Sequence, residues 1–154
     1  MRYDVNDCQA KAKMLYDAGE SKWGTNSLVF NQIFSVSSKY ELSYICKEYY
    51  KLYGHSIVDA INNNFEGDLK KLLKSIIHAI ISPSEYFASR INDAIKGLGT
   101  KDTLLIRTIT TRREIDLPMI KKYYKQLYGK DMVEAIKSDI GGDYRKLMIE
   151  LCSH

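Results

Sequence analysis

The chain has 154 residues, 45% hydrophobic and 27% charged, with a formal net charge of +4. That composition is ordinary for a soluble globular protein of one or two small domains, and so mild a charge without a basic stripe excludes nucleic acid as the expected partner. The longest apolar run, "IIHAII", is far too short to span a bilayer.

From the N-terminus, "MRYDVNDCQA" has no apolar core and does not read as a signal peptide. Cys8, Cys46 and Cys152 are odd in number and lack C-x-x-C or histidine-ligand spacing. Reduced thiols within helices are expected, not a disulfide framework or a zinc site. Most of the 12 tyrosines recur at helical spacing, as in "KEYYKLYG" and "KKYYKQLYG", and read as half-buried packing residues. "ISPSE" marks a boundary, with Ser82 as N-cap and Pro83 in the first turn of a new helix. Residues 84–96 then place Phe87, Ile91 and Ile95 on one helical face. Thr100 is expected to cap "KDTLLIRTITTR". "TRRE" at 111–114 has capping-box spacing for a helix running to about Tyr128, which Gly129 ends. "DMVEAIKSD" is a short helix. "GGDYRKLMIELC" is the last, with Asp143 in the first turn where the helix dipole favours a carboxylate.

The chain repeats itself. Tyr53-Gly54 returns as Tyr128-Gly129, Gly67-Asp68 as Gly142-Asp143, and "VDAI" at 58–61 as "VEAI" at 133–136, each 75 positions on. Upstream, Asp17-Ala18 matches Asp93-Ala94 at an offset of 76, so the first loop, "AGESKWGT", is one residue longer than "AIKGLGT". Two copies of one unit are therefore expected, residues 1–82 and 83–154, each all-helical with about five helices. The β-branched run "IRTIT" argues weakly for a strand, but no hairpin signal lies near it.

"IKGLGT", residues 95–100, meets neither the Walker nor the dinucleotide glycine pattern, and no strand precedes it. It reads either as a plain turn or, because both copies carry it, as a loop whose glycines aim carbonyl oxygens at one point. Ca²⁺ takes neutral oxygen ligands of that kind but needs a carboxylate beside them.

"KGLGT", with an acidic residue 40 positions beyond its second glycine at Asp139, resembles the endonexin motif of annexins. "TLLIRTITTRREIDL", "YYKQLYGKDMVEAIKSDIGGDYRKLMIELC" and "LYDAGESKWGT" extend the resemblance over essentially the whole chain. The first copy resembles the third repeat of a four-repeat annexin and the second copy the fourth. The resemblance implies an all-α fold of annexin-type repeats that docks on anionic phospholipid through Ca²⁺. Lipid phosphate would complete the ion's shell. It further implies Ile95, Gly97, Gly99 and Asp139 as the main ligand set.

In the first copy the implied carbonyls are Gly19, Lys22 and Gly24, but the cap position holds Asn64. An amide adds no negative charge, so this site is expected to be weak or silent unless nearby Glu66 substitutes. Trp23 and Leu98 occupy equivalent loop tips and, with Lys22 and Lys96, are the expected membrane contacts. His55, His78 and His154 fit no catalytic constellation, so an enzyme is not expected. The alternative function is a calcium-independent, annexin-like scaffold for cytoskeletal or other proteins. Two repeats where the family usually has four imply either missing N-terminal repeats or self-association to cover apolar faces. The implied location is cytoplasmic, with reversible attachment to a membrane surface.

Overall fold

The computed structural model describes residues 3–20 and 25–153 and divides into two units, residues 1–81 and 82–154. Unit 1 holds α1 (Val5–Glu20), α2 (Ser27–Val36), α3 (Lys39–Tyr53), α4 (Ile57–Asn64) and α5 (Gly67–Ile81). Unit 2 holds α6 (Pro83–Ile95), α7 (Asp102–Arg112), α8 (Leu117–Tyr128), α9 (Met132–Asp139) and α10 (Gly142–Ser153). No strand occurs among the described residues, so the all-α expectation holds and the "IRTIT" segment lies within α7.

The helix ends follow local chemistry. Ser38 with Glu41 and Ser56 with Asp59 form reciprocal capping boxes on α3 and α4. Asp131 accepts from the N–H groups of Val133 and Glu134 at the start of α9. Gly54 and Gly129 end α3 and α8 in the left-handed region, at φ 76° and 68°.

Two sequence expectations fail here. Thr100 does not cap α7. Lys101 holds that position without a side-chain hydrogen bond, and the Thr100 hydroxyl is used elsewhere. Nor does "TRRE" open a helix. α7 ends within it at Arg112 and residues 113–116 form a turn, with the Thr111 hydroxyl donating one turn back to the Arg107 carbonyl at 2.7 Å. α8 starts later, at Leu117, with Pro118 in its first turn where a missing N–H costs nothing. The turn between them is pinned by Asp116, which accepts from Arg112 Nε at 2.7 Å and from the Ser84 hydroxyl at 2.8 Å. Pro83 opens α6 as expected, although the Ser82 hydroxyl bonds the Glu85 carboxylate and not a backbone N–H.

Each unit has its own core. In unit 1, α1 packs on α2, α3 and α4, burying Leu15, Phe30, Ile45, Tyr49, Ile57 and Ile61. In unit 2, α6 packs on α7, α8 and α9, burying Ile91, Leu105, Ile109, Ile120, Tyr124 and Ile136. Each such aliphatic side chain contributes about 1.5–3 kcal/mol by leaving water. This packing holds the end of α6 and the end of α9 at one place.

Candidate metal site

α6 ends where the Lys96 N–H bonds the Asn92 carbonyl at 2.8 Å, and the loop closes where the Lys101 N–H bonds the Ala94 carbonyl at 2.8 Å. Between them the backbone reverses through Gly97 at φ 117° and Gly99 at φ 81°. A Cβ at either glycine would meet nothing within 4 Å. Glycine is required there by the backbone conformation, not by lack of room. Leu98, between the two glycines, is fully exposed.

The second half of the site comes from α9. Met132 and Ile136 bury one face of that helix, which leaves Asp139 half-buried in its last turn. The Thr100 hydroxyl donates to Asp139 Oδ2 at 2.5 Å, which ties the glycine loop to α9. Oδ1 has no hydrogen-bond partner among the described residues. A cleft of about 430 Å³ opens beside the loop, lined by Ile95, Lys96, Tyr124, Tyr128, Lys130 and Asp139. Nearby, burial pushes the Tyr144 phenol up to about 12, and the Asp102 and Asp139 carboxylates add to the shift.

The donor set suits a hard cation. Among the described residues no three His, Cys, Asp or Glu side chains gather at one point, so a cation held here would take most of its oxygens from backbone carbonyls. The loop exposes Gly97 and Gly99 to solvent, with Ile95 half-buried at the end of α6. Asp139 brings the one carboxylate, with an unengaged oxygen.

Unit 1 repeats the frame with different contents. The Asn26 N–H bonds the Ala18 carbonyl at 2.8 Å, the same closure as in unit 2. The Thr25 hydroxyl, however, donates to the backbone carbonyl of Asn64 at 3.1 Å. The Asn64 amide nitrogen is turned onto the Ala60 carbonyl of its own helix at 2.8 Å. Gly19 lies in the last turn of α1, packed so closely that a Cβ would come within 3.3 Å of the Phe30 ring. Glu66 is exposed just beyond α4. Lys22, Trp23 and Gly24 lie outside the described residues.

Sequence reasoning missed two features. It assigned Thr100 to a helix cap, although its counterpart Thr25 also reaches across to the end of a distant helix. It also gave no role to Lys130 on the cleft wall, and considered the position's counterpart, His55, only as a catalytic candidate. The repeat alignment carries the signal for both. The three cysteines are free and lie within helices as expected; all three are buried, and burial pushes the Cys46 thiol up to about 12.

A family model described as Annexin matches residues 10–76 and 86–151. Over 144 residues the chain is 39% identical to annexin A6 of Mus musculus, covering 94% of this chain and 21% of that protein. It is 39% identical to annexin A13 of Homo sapiens over 91% of this chain and 44% of that protein. It is 37% identical to annexin A4 of Canis lupus familiaris over 99% of this chain and 46% of that protein. Among solved structures, annexin III superposes with a TM-score of 0.88 at 33% identity, covering 100% of this chain and 48% of that one. A calcium-bound annexin (Sm)1 superposes with a TM-score of 0.87 at 31% identity, covering 98% of this chain and 41% of that one. The chain thus spans less than half the length of these relatives.

Proposed function

The chain belongs to the annexin family, and on that premise we propose that it binds anionic phospholipid surfaces in a calcium-dependent manner through unit 2. The observation that carries this reading is the meeting of the Gly97–Gly99 turn with Asp139. Ile95, Gly97 and Gly99 would offer carbonyl oxygens and Asp139 its carboxylate. Bound Ca²⁺ supplies a doubly positive charge with coordination positions left for lipid phosphate. The chain's own residues present that charge: the loop stands proud of the unit, and Leu98 at its tip has no intramolecular cover. Leu98 would enter the interfacial layer while Lys96 and Lys130 meet headgroups. Trp23 and Lys22 are proposed for the same role in unit 1, with a weak or silent calcium site behind them.

Attachment of this kind is peripheral and reversible, at a cytoplasmic membrane face. No described helix is long and apolar enough to cross a membrane. Exposed apolar side chains, among them Leu72, Ile81, Ile115 and Leu147, support cover by further repeats or by a second copy. Mass measurement in solution separates those two. Enzymatic activity forms no part of the proposal.

Sedimentation with phosphatidylserine vesicles tests the reading. Binding should require Ca²⁺, reverse with chelator and fail for Asp139→Ala. Binding that survives chelator, and is indifferent to Asp139→Ala, would replace this reading with that of a calcium-independent scaffold.

A further inference from the structure

Unit 1 carries a polar cluster that the calcium reading does not use. Glu20 ends α1, and its Oε1 receives the Tyr49 hydroxyl at 2.9 Å and His55 Nε2 at 2.5 Å. His55 Nδ1 lies 3.0 Å from the Tyr53 carbonyl oxygen. Both ring nitrogens therefore face oxygens that only accept, and the ring satisfies both as the imidazolium. Tyr49 is fully buried, its ring edge-on to His55 at 5.6 Å, while Tyr16 and Tyr53 stack at 3.7 Å alongside. A phenol O–H and a cation converging on one oxygen make a receptor for an anion. Its occupant is the chain's own carboxylate.

Unit 2 carries the counterparts of these residues without the carboxylate. Tyr124 stands at the counterpart of Tyr49 and Lys130 at that of His55, so a phenol and a cation are kept, with the Tyr124 hydroxyl donating to the Asn92 amide oxygen at 3.4 Å. The counterpart of Glu20, at the upstream offset of 76, is Lys96. Two ammonium groups cannot pair as Glu20 and His55 do, and neither lysine has an ion pair among the described residues. The cleft that these three residues help to line is the open one beside the glycine loop.

We propose that Tyr49 and His55 form an anion-binding nest in unit 1 that Glu20 occupies from within, closing this unit to phosphate-type ligands that its frame would otherwise accept. Glu20 acts as an intramolecular competitor, and its covalent attachment gives it a high effective concentration at the nest. An outside phosphomonoester, with several acceptor oxygens for the two converging donors, binds once that carboxylate is removed. Recognition of anions by this chain then falls to unit 2.

The full chain, without calcium and at about pH 6 so that His55 is charged, is titrated with glycerol 3-phosphate and followed by NMR at the His55 imidazole. In the natural sequence His55 should not respond. In Glu20→Ala it should shift saturably in the millimolar range, and adding His55→Gln should abolish the same saturation at the Tyr49 ring. If the alanine chain does not fold, Glu20→Gln, which removes the charge and keeps the side-chain length, should show weaker saturation of the same kind. Vesicles of phosphatidylcholine with phosphatidic acid distinguish the sources. They sediment more of the variant than of the natural chain if a lipid headgroup reaches the nest, and equal amounts if only a soluble ester does. Saturable binding at His55 with Glu20 in place would overturn the proposal, as would a folded Glu20→Ala or Glu20→Gln chain that does not respond. Because calcium is absent and the readout is in unit 1, failure here is distinct from failure of the Asp139 test.

Discussion

The Thr100 hydroxyl donates to the side-chain carboxylate of Asp139, whereas its repeat counterpart Thr25 donates to the backbone carbonyl of Asn64. The two units thus share one loop-to-helix tie, made to a charged group in unit 2 and to a neutral one in unit 1. Asp139→Asn should keep an acceptor for Thr100 while removing the charge. Calcium affinity should fall at least tenfold, about 1.4 kcal/mol, with little change in thermal stability. Calorimetric titration checks the first and a melting curve the second. Unchanged affinity would mean that Asp139 does not hold the ion.

Gly99→Ala and Gly129→Ala form a matched pair. Both glycines sit at positive φ with open space around a would-be Cβ, at 81° and 68°. Each substitution should cost about 1–2 kcal/mol of stability through backbone strain, measured by urea denaturation. Only Gly99→Ala should also weaken calcium binding, because Gly129 ends α8 and belongs to no ligand loop.

Leu98 is fully exposed and forms no part of either hydrophobic core. Leu98→Ser should therefore leave stability unchanged to within about 0.5 kcal/mol. Vesicle binding at fixed calcium should weaken about tenfold, in line with the ~1.5–3 kcal/mol available from burying a leucine. Equal loss of stability and vesicle binding would point to a folding defect.

Stability of unit 1 should depend on pH through His55. The hydrogen bond with Glu20, then that with the Tyr53 carbonyl, hold the imidazole above its ordinary value, and the Glu20 and Asp59 carboxylates add to this. A raised histidine pKa stabilises the fold fully below the unfolded value. That contribution is lost as pH rises through the folded value. Denaturation midpoints should therefore fall as pH rises above about 6.5. The total for a pair this exposed is under about 1 kcal/mol. Glu20→Gln should flatten the dependence, and an unchanged slope in that variant would assign it to another group.

The half-buried Arg112–Asp116 pair holds the turn between α7 and α8. Arg112 stacks over Phe87 at 4.5 Å while Asp116 also accepts from Ser84. Asp116→Ala should cost about 3 kcal/mol, because it strands a partly desolvated guanidinium. Urea denaturation measures this, and a cost near zero would mean that Arg112 finds water instead.

The sequence by itself determined the two-fold internal repeat, the helical class, the glycine stop at 129, and the difference between Asp139 and Asn64. These are periodicities and identities, and they survive without knowing where any helix packs. Tertiary structure alone decided what the hydroxyls and ions do. Thr100 stands next to an α-helix start, where local chemistry favours a cap, yet the packing of α6 on α9 brings a carboxylate 39 positions away within reach of its hydroxyl. "TRRE" has capping-box spacing, but α7 ends inside it at Arg112, and Arg112 and Asp116 bond each other across the turn that follows. Glu20 and His55 are 35 positions apart and meet only because α1 packs against α3. A short polar side chain has several partners of similar strength along the chain, and which one it takes is set by the apolar packing that brings distant segments together.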